Sequence, residues 1–152
     1  MDKGALMNPL SEHFSYLEGT QSATALKSGI DNTPPADILS NMQQAAAQLE
    51  AVREYLNQPM TVNSWYRCAA LNAAVGGAPN SAHTQGWAID FICPPYGSPL
   101  EIVDALVKTG IKFDQLIQEG TWCHISFDPR MRQQTLTAHF ADGEPTTYTS
   151  GT

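Results

Sequence analysis

Basic residues are scarce in this sequence: 8 Lys and Arg stand against 15 Asp and Glu, for a formal net charge of −7 over 152 residues. Phosphate recognition depends on clustered Lys and Arg, so these few scattered cations exclude a nucleic-acid partner. They also disfavour attraction to an anionic surface, and recognition is expected in a pocket. Long apolar runs are missing as well. No stretch approaches the roughly 20 apolar residues that span a bilayer, so no membrane insertion is expected. Met1 to Leu10 lacks the apolar segment of a secretory signal, which makes a cytoplasmic protein the expectation, held there until something else releases it. Met7 offers a second start, and residues 1–9 are expected to be a flexible leader.

Cysteine is limited to Cys68, Cys93 and Cys123, an odd number without CxxC spacing, so neither a disulfide framework nor a cysteine zinc site is signalled. Free, mostly buried thiols are expected. A Cys68 to Cys93 bridge stays open as the alternative. Repeats, charge runs and low-complexity segments are absent, and Pro and Gly are spread instead of gathered into a linker. With 42% apolar residues this is enough for one core, so one domain over residues 1–152 is expected, acting as a monomer.

The residues that are present divide into recognisable elements. Leu10 to Gly29, with Phe14, Tyr16 and Leu17, reads as short helices or loops wrapping the core. Thr33, Pro34 and Pro35 introduce a helix on which Ile38, Met42, Ala45, Leu49, Val52 and Leu56 fall on one face. Asn57 to Pro59 ends it. Met60 to Trp65 has strand character, Tyr66 to Gln85 reads as a loop, and Trp87 to Cys93 as a strand. Ser98 and Glu101 form a capping box for a second helix, running to about Lys108 and stopped by Gly110. Phe113 to Glu119 and Trp122 to Phe127 make a hairpin around Gly120 and Thr121, and a weaker one turns at Asp142 and Gly143. The order predicts an α+β fold, a mainly antiparallel sheet with helices packed on one side.

The chemistry is concentrated in two segments. In Ser81-Ala82-His83-Thr84-Gln85-Gly86-Trp87-Ala88-Ile89-Asp90, an imidazole and a carboxylate stand seven residues apart, and both suit a borderline-soft divalent ion. Asp90 interrupts an apolar run, where an unpaired charge is costly. Alternation sends Trp87, Ile89 and Phe91 to one face and Ala88 and Asp90 to the other. In Glu119-Gly120-Thr121-Trp122-Cys123-His124, a two-residue turn would put Glu119 and His124 on one side of the ribbon as diagonal neighbours. The same alternation turns Cys93 and Cys123 away from Asp90 and His124. His13 and His139 have no partner at ligand spacing and read as surface residues. Trp65, Trp87 and Trp122 read as core or pocket walls.

These motifs resemble the zinc D-alanyl-D-alanine carboxypeptidases and their relatives, among them phage L-alanyl-D-glutamate endopeptidases and vancomycin-resistance dipeptidases. The resemblance rests on S-x-H-x-x-G-x-A-x-D at Ser81 to Asp90, on W-x-H at Trp122 to His124 with Glu119 upstream, and on Tyr66-Arg67-Cys68 with Leu71-Asn72. It covers roughly residues 60–127 and implies a hedgehog/DD-peptidase-like fold. It further implies one Zn2+ per chain held by His83, Asp90 and His124, Glu119 as general base, and Arg67 at the scissile carbonyl or a substrate carboxylate. Ser81 and Trp122 would shape the substrate pocket. Several relatives carry the acid three residues before the second His, where this chain has Thr121. The implied activity is hydrolysis of amide bonds in peptidoglycan stem peptides, in the form of a phage endolysin released to the cell wall by a holin. The alternatives are a non-catalytic zinc domain of hedgehog type and a housekeeping bacterial carboxypeptidase.

Overall fold

The computed structural model describes residues 9–152. Of the leader expected over residues 1–9, only Pro9 falls among them, and it bridges to Ser15. Two short helices follow, α1 (Tyr16–Thr20) and α2 (Ala23–Ser28), each started by a serine. Ser15 forms a capping box with Glu18, and the Ser22 hydroxyl accepts from the Ala25 N–H, which satisfies donors that a helix start leaves free. Phe14 and Tyr16 enter the core, whereas Leu17 remains exposed.

The long helix α3 (Ala36–Leu56) starts after Pro35 and ends at Asn57, whose φ of 51° places it in the left-handed region. All six apolar positions predicted for its inner face are buried, with Met42, Ala45, Leu49 and Val52 at 0% exposure. Burial of each large side chain contributes about 1.5–3 kcal/mol, so this face anchors the fold.

The first strand, β1 (Thr61–Ser64), is shorter than its sequence signal. The segment read as a loop contains a helix, α4 (Ala69–Ala74), and a 3-10 turn, Ala82–Gln85. That reading is corrected: α4 is only six residues long and buries just Leu71 and Asn72, too few for an amphipathic pattern. Next come β2 (Ala88–Ile92), α5 (Pro99–Val107) with the expected Ser98–Glu101 capping box, β3 (Gln115–Gln118) and β4 (Cys123–Ser126). The final hairpin is β5 (Gln134–His139) and β6 (Thr147–Ser150).

The six strands form one sheet in the order β1-β2-β4-β3-β5-β6. All neighbours are antiparallel except β3 and β5, which are parallel. Helices α3 and α5 share one core with Ile89, Phe91, Leu116 and Ile125, so they cover one face of the sheet. The α+β architecture with helices on one side is thereby established, and the other face is left for chemistry. The three cysteines are free thiols, with Cys93 and Cys123 buried. No helix among the described residues is long and apolar enough to cross a membrane.

Candidate metal centre and active site

Strand pairing builds the centre. Asp90 on β2 lies directly opposite His124 on β4, and on its other side pairs with Ser64 of β1. A bulge at Asn63, between Val62 and Ser64, shifts the β1 register beside this pair. Such bulges re-aim side chains, and here Ser64 Oγ accepts from Arg67 Nε at 3.2 Å.

His83 arrives from the 3-10 turn. The Ser81 hydroxyl caps that turn by accepting from the His83 N–H, and Gly86 closes it with φ 80°. A Cβ on Gly86 would lie 2.7 Å from Met42 Cγ, so the glycine lets the turn press against α3. Trp65 fixes both ends of the turn: its indole N–H donates to the Gly86 carbonyl at 2.9 Å, and its own carbonyl accepts from His83 Nδ1 at 2.6 Å. With Nδ1 occupied, the lone pair of His83 is on Nε2, which faces the site.

Asp90 Oδ1 lies 3.3 Å from His83 Nε2 and 2.8 Å from His124 Nδ1. One ligating atom from each of these residues falls within 4.8 Å of the other two. The two imidazoles meet edge to face at 5.2 Å. Two neutral-capable nitrogens and one carboxylate oxygen are the donor set of a zinc site with room for further ligands. Burial would raise the Asp90 pKa, but the two histidines and their hydrogen bonds outweigh it and hold the carboxyl well below its usual range. Burial lowers the His83 pKa, keeping that ring neutral. At His124 burial acts in the same direction, yet the Asp90 hydrogen bond and charge prevail and raise the pKa. A field that holds a proton there also attracts a cation, so the residues fit a divalent metal.

Glu119 lines the same cleft, which has a volume of about 610 Å³. Its N–H donates to the Trp122 carbonyl at 3.0 Å across the turn, and β3 pairs with β4 in the register Ile117 to His124. The expected hairpin is thus observed, with Gly120 at φ 78°. Burial raises the Glu119 pKa, His124 opposes that, and Asp90 reinforces it. Arg67 Nη2 lies 3.5 Å from Asp90 Oδ2, and its Nη1 donates to Asn72 Oδ1 at 3.2 Å. Asn72 in turn donates to the Ala78 carbonyl at 2.8 Å. Ser81 and Trp122 are also on the cleft wall, and Trp122 packs on Phe140 with ring centroids 6.2 Å apart.

The structure therefore assembles all seven residues singled out from the sequence around one cleft. Residues 12–126 match the family described as Peptidase M15. The chain belongs to peptidase family M15. This is a family of zinc peptidases, and the centre described above supplies a ligand group able to hold a metal. No curated protein matches the chain.

The M15 cleft also contains groups that the sequence did not mark. Asn72 belongs to the Tyr66-Arg67-Cys68 and Leu71-Asn72 motif, and the sequence alone gives it no role. Arg130, Arg132 and Tyr148 line the cleft from beyond the second histidine. Asp114, at 0% exposure, is held by Arg132 through Nε and Nη2, both at 2.8 Å, and by the Ser126 hydroxyl. Cys93 and Cys123 are not at the centre, and burial pushes the Cys123 thiol up to about 12, unsuited to ligation. His13 pairs with Glu50 at 2.6 Å and His139 with the Thr149 hydroxyl, both at the surface as expected. A separate depression between α1 and α2, of about 650 Å³, is lined by Tyr16, Leu26 and Asn32 and gathers no ligating cluster.

Proposed function

We propose that this M15 peptidase is a zinc enzyme that hydrolyses amide bonds in peptidoglycan stem peptides, working as a phage endolysin. The observation that carries the reading is the convergence of His83, Asp90 and His124 beside a carboxyl group whose proton affinity is raised by burial. His83 Nε2, Asp90 and His124 Nδ1 would hold the ion. When bound, it supplies Lewis acidity that activates water and polarises the scissile carbonyl.

The remaining steps belong to side chains of the chain. Glu119 accepts the proton of the attacking water and returns it to the leaving nitrogen; a raised pKa suits a group that must do both near neutral pH. Arg67, fixed by Ser64 and Asn72, offers its N–H groups to the negative charge that develops on the carbonyl oxygen. Ser81 holds the turn that presents His83, and Trp122 forms a wall for the peptide. A cytoplasmic enzyme released to the wall by a holin, and acting as a monomer, completes the reading.

The test is digestion of purified muropeptides followed by mass spectrometry, with and without added zinc. New termini within the stem peptides, formed only with zinc, are expected. Glu119→Gln should bind zinc normally while losing on the order of 10²- to 10⁴-fold in kcat. Full turnover by that variant would remove Glu119 from the mechanism, and intact stem peptides at every zinc concentration would sink the substrate assignment.

A further inference from the structure

The chain is acidic, yet three of its four arginines, Arg67, Arg130 and Arg132, line one cleft. Arg67 is explained by the centre. The other two lie beyond it, past the end of β4, and nothing in the mechanism uses them.

Their arrangement is specific. Arg132 grips Asp114 with Nε and Nη2, and its own backbone N–H donates to the same carboxylate at 2.9 Å. Asp114 is sealed from solvent, whereas the Arg132 side chain keeps 34% of its surface exposed. Among the described residues Nη1 donates to no partner. Arg130 makes a looser, more exposed pair with Asp128 two residues away, through Nε at 3.0 Å and Nη2 at 3.4 Å. Neither Asp114 nor Asp128 lines the cleft, whereas both arginines do. Each arginine is thus paired to an acid that lies outside the cleft lining, while its own side chain contributes to the cleft wall.

Planar N–H groups held in this way match a carboxylate, and pre-orientation removes much of the entropy cost of ordering an arginine on binding. Ser126, which bonds Asp114, lies two residues along β4 from His124. The Asp114–Arg132 pair is thereby anchored on the same strand as the centre.

We propose that Arg132, assisted by Arg130, is a specificity-determining carboxylate subsite that selects peptides bearing a free acid group beside the bond cut. This rests on the stem-peptide reading above, since stem peptides are rich in such groups, and it assigns a role to residues outside the catalytic set. Structural clamping of Asp114 alone would use the Arg132 fork but would not turn Arg130 towards the same cleft.

The experiment uses the zinc-loaded full chain and stem peptides in which each free carboxyl is converted in turn to the carboxamide. One carboxamide is expected to be cut on the order of 10- to 100-fold less efficiently, mainly through KM, as befits loss of a charge-assisted hydrogen bond. Arg132→Lys keeps a cation beside Asp114 but loses the fork; Arg130→Ala disturbs only a surface pair. Each should weaken cutting of the acid peptide and leave that carboxamide little changed. Equal cutting of acid and every carboxamide by the unmodified protein overturns the proposal, as does an equal loss on both by the two variants. Should no stem peptide be cut, the substrate reading fails separately, and calorimetry with N-acetyl-D-glutamate against its amide decides the subsite. Acid-selective binding weakened by Arg132→Lys supports it, and absence of binding overturns it.

Discussion

Gly77→Ala tests whether Arg67 acts from a fixed position, because the new methyl group reaches the arginine without altering any charged group. Gly77 is not among the glycines with positive φ, so alanine meets no conformational penalty and the cost is one of contact. A Cβ would lie 2.1 Å from Asn72 Oδ1 and 2.8 Å from Arg67 Nη1. The arginine tip has freedom to move, but Asn72 is only 3% exposed and tied to the Ala78 carbonyl, so it cannot retreat into solvent. Disturbing the Asn72 and Arg67 hydrogen bonds costs about 1–3 kcal/mol together. Crowding adds about 1–3 kcal/mol. A total of about 2–6 kcal/mol corresponds to a fall in Tm on the order of 5–25 °C for a domain of this size. Displacing a positioned group by about 1 Å costs on the order of 10²-fold in rate. The variant is therefore expected to fold, to bind zinc stoichiometrically by atomic absorption, and to lose about 100-fold in kcat on a stem peptide. Undiminished kcat with a lowered Tm would show that Arg67 does not work from the place Asn72 gives it. Unchanged Tm and kcat together would refute the steric argument itself.

Gly86→Ala adds a left-handed penalty of about 1–2 kcal/mol to its clash with Met42, and is expected to lower both unfolding free energy and zinc affinity, measured by denaturant titration and by competition with a chromophoric chelator. A gain or no change in either would contradict the packing of the turn on α3. Asp114 is buried, but its bonds to Arg132 prevail and hold its pKa below the usual value. Its contribution is thus fully present above about pH 5 and lost as pH falls through the lowered folded pKa. Tm profiles should show Asp114→Asn less stable at pH 7, with the difference shrinking towards pH 3; parallel profiles would deny the linkage. Zinc at about 100 times its Kd is expected to stabilise the fold by about 2.7 kcal/mol, so dialysis against a chelator should lower Tm and readdition restore it. A Tm indifferent to zinc would mean that the three ligand side chains do not bind it in the folded chain.

The parts legible in the sequence were those encoded locally. Helix α3 announced itself because its six inward positions repeat every three or four residues behind a proline start. Asp90 stood out as a charge inside an apolar strand, and the turn at Gly120 fixed the placement of Glu119 relative to His124 without any long-range information. The missed features depend on distance in the chain. The parallel pairing of β3 with β5 joins strands that are not consecutive, and no local pattern specifies it. The Asp114 to Arg132 pair spans 18 residues, and each partner alone looks like an ordinary charged residue. Helix α4 failed to register because an Ala-rich segment with two buried positions carries no periodic signal, and the support that Asn72 gives Arg67 was hidden with it.

The family match ends at residue 126, whereas β5, β6, Arg130 and Arg132 all follow it. The hairpin joins the rest of the sheet through β3 alone, and every residue of β6 is exposed. The carboxylate subsite proposed for Arg130 and Arg132 consequently lies on a different stretch of polypeptide from His83, Asp90 and His124. A graft of that C-terminal stretch between relatives could retarget the enzyme while its reaction centre stayed whole.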